Sequence, residues 1–208
     1  GAGGLAGVAG ADLHSGSNED TIADPRVTAV IVSTQEQIHT EPILLALKRG
    51  LPVLCEKPIG FSLSEADLIL ETLRQTKGEL RIGYSRRYKE CFLRSKEQMR
   101  HGRLGKVVGG TARVYNSRTQ TFQILERDPH ATPVLDVLTY YVDLMCWFLE
   151  GNRPVAVVAR AQSGIFKAAG YSADDLTWAI VTLADGAVRN LGVGPGPPAR
   201  HPTLSQHA

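Results

Sequence analysis

The chain has 208 residues, 43% apolar and 21% charged, with a formal net charge of +2 at neutral pH. That length buries one good core or two small ones, and the near-neutral balance gives no electrostatic reason to expect a polyanionic partner. No apolar run reaches transmembrane length and no charged leader precedes an apolar core, so a cytoplasmic protein without a membrane partner is expected.

The first seventeen residues are rich in Gly and Ala, and Gly1 to Ala6 fit the spacing G-x-G-x-x-A. That spacing cradles a pyrophosphate only after a strand and at the opening of a helix, with an acid about 20 residues on for the ribose. No strand precedes it here, and Val27 follows too soon for another strand and helix. A small-residue segment is therefore expected, not a working phosphate loop.

Asp24-Pro25 starts a turn, and Val27 to Ser33 reads as a strand of β-branched residues. Thr40-Glu41-Pro42 opens a helix with Pro in its first turn, Ile43, Leu44 and Leu47 on its buried stripe, and Gly50 to stop it. The run up to Val53-Leu54-Cys55 reads as a buried parallel strand ending at Glu56-Lys57-Pro58. Ser62-Leu63-Ser64-Glu65 is a capping-box sequence for a helix with Ala66, Ile69, Leu70 and Leu73 on one face, and Leu80 to Tyr84 is a third strand. Strand, helix, strand, helix, strand with short links is a parallel-sheet signature. Ligands of such sheets bind outside the carboxyl ends of the strands, which is where Lys57 would be delivered.

The helix expected from Tyr88 to His101 lies in a strongly basic stretch, with nine Lys or Arg between Arg81 and Lys106 against Glu90 and Glu97. A solvated face with Phe92, Leu93 and Met99 inward is favoured over a nucleic-acid patch, because no aromatic stacking pattern accompanies the charge. Val107 to Tyr115, Val155 to Ala161 and Trp178 to Leu183 read as strands. Ala184-Asp185-Gly186-Ala187 is a hairpin turn into Val188 to Val193. The fold class expected is α/β: a partial Rossmann-like parallel sheet over residues 1–84, then an α+β domain with a mainly antiparallel sheet over 85–193. Residues 194–208 carry too little apolar content to order alone. The cysteines Cys55, Cys91 and Cys146 show no metal-ligand spacing and read as buried or free thiols of a reducing compartment, and no metal is expected.

One expected helix of the second half, Val134 to Leu149, carries Asp136, Tyr140, Asp143 and Trp147 at i, i+4, i+7 and i+11, all on one face. A polar and aromatic stripe of this kind fits a site or a solvated edge equally well.

The ordered segments Val30-Ile31-Val32-Ser33-Thr34, His39, Val53-Leu54-Cys55-Glu56-Lys57-Pro58 and Gly83-Tyr84-Ser85-Arg86-Arg87-Tyr88 resemble the Gfo/Idh/MocA oxidoreductases, over roughly residues 20 to 190. The resemblance implies an NAD(P)-dependent dehydrogenase, with NAD or NADP as cofactor and a sugar, polyol or related hydroxy compound as substrate. It implies that Lys57 is catalytic and that Ser33, Thr34, His39, Glu56, Lys57, Pro58 and Arg86 border the cofactor. Loop and N-cap duty would also account for Thr34 or Thr40, and a surface role for Arg86 and Arg87. The family's second-domain helix carries Asp-x-x-x-His facing the reacting hydroxyl. Asp136 matches the Asp, and Tyr140 stands at the His.

Oxidising a secondary alcohol needs a base, and a phenol near its ordinary pKa of about 10 needs a neighbouring cation to act as one. Lys57 and Tyr140 are thus the expected proton-handling pair, with Asp136 orienting substrate or lysine. Tyr141 is the next candidate, and Tyr115, Asn116 and Arg118 are further substrate contacts. Compared with the family, the chain is expected to lack most of the first βαβ unit and the end of the second domain. The alternative expectation is a family member that binds a small molecule or protein without turnover. Strand edges left unpaired make a homo-oligomer through the C-terminal sheet possible.

Overall fold

Three short apolar segments build a parallel sheet in the order β1 (Val30–Val32), β2 (Val53–Cys55), β3 (Leu80–Ile82), with Val30 opposite Val53 and Val53 opposite Leu80. The computed structural model describes residues 7, 10–12, 14–129 and 131–196. The chain divides into two compact units, residues 1–84 and 85–208. Gly1 to Ala6, and the tail beyond Gly196, lie outside the described residues.

In the first unit, α1 (Asn18–Ala23), α2 (Thr40–Lys48) and α3 (Leu63–Thr76) join the sheet. Ile43, Ala46 and Leu47 of α2 and Ile69 of α3 meet Val32, Val53 and Cys55 in one core with Ile22. Each such aliphatic side chain taken from water contributes roughly 1.5–3 kcal/mol. The capping box forms: the Ser62 hydroxyl accepts from the Glu65 backbone N–H, and the Glu65 carboxylate accepts from the backbone N–H groups of Phe61 and Ser62. Leu70, expected on the inner face of α3, is exposed instead, and Thr72 is buried.

The expectation of a strand buried on both faces fails for β2. Val53 and Cys55 are buried, but Leu54 is 44% exposed and its neighbour across the register, Ile31, is 72% exposed. All described helices of this unit that share its core pack against one face, so the alternate residues stay outside. β1 is also shorter than expected, because Val27 is used in the turn, donating its backbone N–H to the Asp24 carbonyl.

The second unit begins with a 3₁₀ turn, Ser85–Tyr88, followed by α4 (Glu90–Arg100), within the range expected for a helix. Then come β4 (Gly109–Asn116), α5 (Arg118–Arg127), a π-helical turn (Val134–Leu138), α6 (Thr139–Phe148), β5 (Pro154–Gln162), α7 (Ile165–Ala168), β6 (Leu176–Leu183) and β7 (Val188–Pro195). The sheet runs β4-β7-β6-β5, antiparallel except for the β4–β7 pair. The hairpin closes as expected, with Gly186 at φ 85°. Its core joins Val114, Val181, Leu183, Leu191 and Val193 of the sheet to Val137, Leu138 and Met145. β7 continues through Pro195, two residues past the expected end, because its pairing with β4 runs to Asn116 opposite Pro195. Helices α5 and α7 were not expected. α7 rests on Asp175, whose carboxylate accepts from the Ile165 and Phe166 backbone N–H groups at 2.7 Å each.

Candidate active site

The carboxyl ends of β1, β2 and β3 bring three of the expected segments together within the first unit. Ser33-Thr34 follow β1, Glu56-Lys57-Pro58 follow β2, and Gly83-Tyr84 follow β3. Parallel pairing forces this: the Glu56 N–H donates to the Val32 carbonyl at 2.9 Å, and the Gly83 N–H to the Cys55 carbonyl at 2.7 Å. Gly83 packs closely on this loop: a Cβ there would lie 3.1 Å from the Glu56 carboxylate, which would have to shift slightly. The Lys57–Pro58 peptide is cis. Ser33 and Thr34 are exposed, Lys57 half-buried and Pro58 buried.

His39 ties two of these loops together. It is 1% exposed, with Nδ1 2.9 Å from the Pro58 carbonyl oxygen and Nε2 3.2 Å from that of Thr34. A neutral imidazole donates from one nitrogen only, while a protonated ring donates to both carbonyls. Both ring nitrogens are thus occupied by the protein's own backbone. Glu65 adds a tie between the helices that flank these loops. Burial raises its carboxyl, but hydrogen bonds from Ser62, Phe61 and Thr40 outweigh that and hold it below the usual carboxylate range.

Within the expected polar stripe of the second unit, Asp136 lies in a π-helical turn and Tyr140 in the α-helix beyond it. Asp136 lines a small cavity with Asn116, Thr121 and Val193. The remaining stripe residues face cations of the preceding segment. The Arg86 guanidinium lies 5.1 Å from the Tyr140 ring centre and 4.8 Å from that of Tyr141. Arg87 grips Asp143 with two hydrogen bonds, of 2.8 and 2.5 Å, and approaches the Trp147 ring. Lys96 donates to the Trp147 carbonyl and lies 5.5 Å from its ring. Cations over aromatic faces and a two-pronged carboxylate pair are adhesive contacts in their own right. Asp143 and Trp147 thus belong to packing within this unit, and Arg86 is the cation beside Tyr140. Phe92 and Met99 line a cavity with α6, whereas Leu93, expected inward, is exposed.

Two families of sequence match the chain in tandem. "Oxidoreductase family, NAD-binding Rossmann fold" covers residues 8–84, and "GFO/IDH/MocA C-terminal domain" covers residues 92–200. The chain belongs to the GFO/IDH/MocA family. An inositol 2-dehydrogenase of Rhizobium meliloti is 29% identical over 193 residues, 88% of this chain and 54% of that protein. A 1,5-anhydro-D-fructose reductase of Ensifer adhaerens is 26% identical over 73% of this chain and 46% of its own length. The fold is shared with scyllo-inositol dehydrogenase of Lactobacillus casei bound to NAD(H) and scyllo-inositol, at a TM-score of 0.75 and 20% identity over 88% of this chain and 55% of that one. The chain spans about half the length of the curated relatives it matches.

A nicotinamide dinucleotide fits this GFO/IDH/MocA chain in part. The hydroxyls of Ser33 and Thr34 and the ammonium of Lys57, all at the strand ends, suit a ribose and a carboxamide. Among the described residues no strand–glycine loop–helix precedes β1, so the pyrophosphate's usual cradle of helix N-terminal N–H groups is not built by them.

Proposed function

We propose that the chain carries the nicotinamide-facing half of an NAD(P)-dependent oxidoreductase that oxidises a secondary hydroxyl of a sugar, polyol or related compound. The observation that carries this reading is Lys57, presented at the carboxyl end of the central strand in a loop held from beneath by His39. Ser33, Thr34, Glu56, Lys57 and Pro58 would border the cofactor, and Arg86 would be a further cofactor contact. The nicotinamide supplies the hydride acceptor. Lys57 handles the hydroxyl proton, directly or by stabilising the alkoxide. Tyr140, at the family's His position, is the second proton-handling group, and Asp136 orients the substrate. The inositol and anhydrofructose relatives support a polyol or sugar as substrate. Turnover of NAD or NADP with an inositol and sugar panel tests the reading. Lys57→Ala should lower kcat by roughly 10²-fold or more, the range expected when a proton-transfer group is removed. Unchanged turnover in that variant sinks the mechanism.

A second reading is a family member that binds without turnover. Tyr140 in place of His favours it, and it predicts cofactor binding with no hydride transfer to any of the panel.

Self-association through the C-terminal sheet belongs to the same proposal. β5 is an edge strand with Val155, Val157 and Val158 exposed, next to exposed Ile180, and such edges pair readily. Concentration-independent monomer in sedimentation velocity counts against it. Among the described residues no helix is long and apolar enough to cross a membrane. The free cysteines support a reducing, cytoplasmic setting.

A further inference from the structure

The second unit contains a buried cation without an acid. Arg189 points to the inner, apolar face of the sheet, in line with Leu191 and Val193, and is 6% exposed. Its cross-strand neighbour in β4 is Gly110, and a Cβ there would come within 3.3 Å of the Arg189 side chain. The glycine makes the space that the arginine occupies. Of its five N–H groups, one donates from Nη1 to the Val188 carbonyl at 2.9 Å. Another reaches the Val107 carbonyl from Nη2 only at 3.5 Å. No Asp or Glu pairs with Arg189 among the described residues.

A guanidinium withdrawn from water without a counter-charge is costly unless something else completes its hydrogen bonding. Arg189 lines a cavity of about 390 Å³ between the sheet, α4 and α6. The walls are Phe92 and Met99 of α4, Tyr141, Met145 and Phe148 of α6 and, from β4, a second cation, Arg113; no acidic residue lines it. That volume lies in the range of small-molecule pockets, and two methionines give the wall an adaptable surface. A largely apolar cavity with a charged fork in its wall selects a ligand with an apolar body and one carboxylate.

We propose that this cavity is a binding site for an aliphatic monocarboxylate, its carboxylate received by Arg189 and its chain packed between α4 and α6. The site lies wholly within residues 85–208 and is independent of Lys57 and of the oxidoreductase reading.

The test is calorimetric titration of the full chain with decanoate and, separately, decanol, at a pH well above the range in which carboxylates titrate. Hydrogen bonds to a charged group contribute about 1.5–3 kcal/mol, so decanoate should bind at least about tenfold tighter than decanol. Arg189→Met should reduce that preference to about twofold or less and leave decanol affinity nearly unchanged. Arg160→Met, on the exposed edge strand, should change neither. Should Arg189→Met not fold by circular dichroism, Arg189→Lys replaces it. Lys keeps the charge but not the fork, and should retain only part of the preference. Equal affinity for the two ligands, no saturable binding of decanoate, or a preference lost with Arg113→Met and kept without Arg189 overturns the proposal.

Discussion

The two units solve the placement of polar groups in opposite ways. In residues 1–84 the apolar residues of three short strands are buried on one face, and the polar residues gather at the strand ends. There the loops are fastened by single side chains, buried His39 beneath Pro58 and Thr34, and half-buried Glu65 at the start of α3. In residues 85–208 cations of the 3₁₀ turn and α4 pack on the aromatic and acidic residues of α6, so polar side chains serve as adhesive inside the unit. A polar cluster at the end of a parallel sheet marks an open crevice. A polar stripe on a helix marks one only if no neighbour of opposite charge packs against it.

The largest expected effect comes from His39→Ala. It empties a buried space and leaves the Thr34 and Pro58 carbonyls without their partner, for a loss of about 3 kcal/mol in urea unfolding. His39→Gln, able to donate to one carbonyl, should recover part of it. A loss below about 1 kcal/mol would remove the distinction drawn for the first unit. One-sided burial is probed by a pair on adjacent positions of β1. Val32→Ala should cost about 2 kcal/mol and Ile31→Ala under about 0.5 kcal/mol. Equal costs would mean that the outer face is covered in solution.

For the second unit, Asp143→Asn removes the partner that Arg87 grips. Arg87 is 39% exposed, so solvent screens the pair and the loss should be about 1–2 kcal/mol. Zero cost would reassign Asp143 to the surface. Cys146 reports on the same place. Burial first, and the Asp143 charge second, push its thiol up, while Arg87 pulls it down. Cys91 and Cys146 are both exposed, so the raised thiol of Cys146 should make iodoacetamide label it more slowly than Cys91. Cys55, pushed up to about 12 by burial and by Glu56, should react only on unfolding.

The smallest effect is a pH dependence. The folded-state pKa of Glu65 lies below its unfolded value, 4.5. Its contribution is complete above that value and is lost as pH falls through the lower folded one. Glu65→Gln should flatten the decline of Tm on that acid limb, and an unchanged limb would show that the capping carboxylate is not linked to stability.

Much of the first unit was legible in sequence because its determinants are local. The Ser62–Glu65 box, the Gly50 stop and the turn at Asp24 depend on residues a few positions apart, and Lys57 follows from where an apolar run ends. The inner and outer faces of β2 were not legible, because three residues cannot announce which side a distant helix will cover. On the Asp136 helix, regular spacing predicted one continuous α-helix, but Val134–Leu138 form a π-helical turn, which has no compositional signature. The occupation of Asp143 and Trp147 by Arg87 and Lys96 pairs residues about fifty positions apart. The basic stretch was its only sequence signal, and that had been assigned to solvent. Arg189 was missed for a related reason: a lone arginine in a strand reads as outward-facing unless its cross-strand neighbour is known to be a glycine.

The strand-end loop of Lys57 is proposed to receive a nicotinamide cofactor. The most direct measurement is titration of the folded chain with NADH and with NADPH, followed by nicotinamide fluorescence, in parent and Lys57→Ala. Saturable binding of at least one cofactor is expected, weakened by about tenfold in the variant, as for the loss of a charge-assisted contact. Absence of binding at millimolar concentrations of both cofactors, with the circular dichroism of a folded chain, would contradict it.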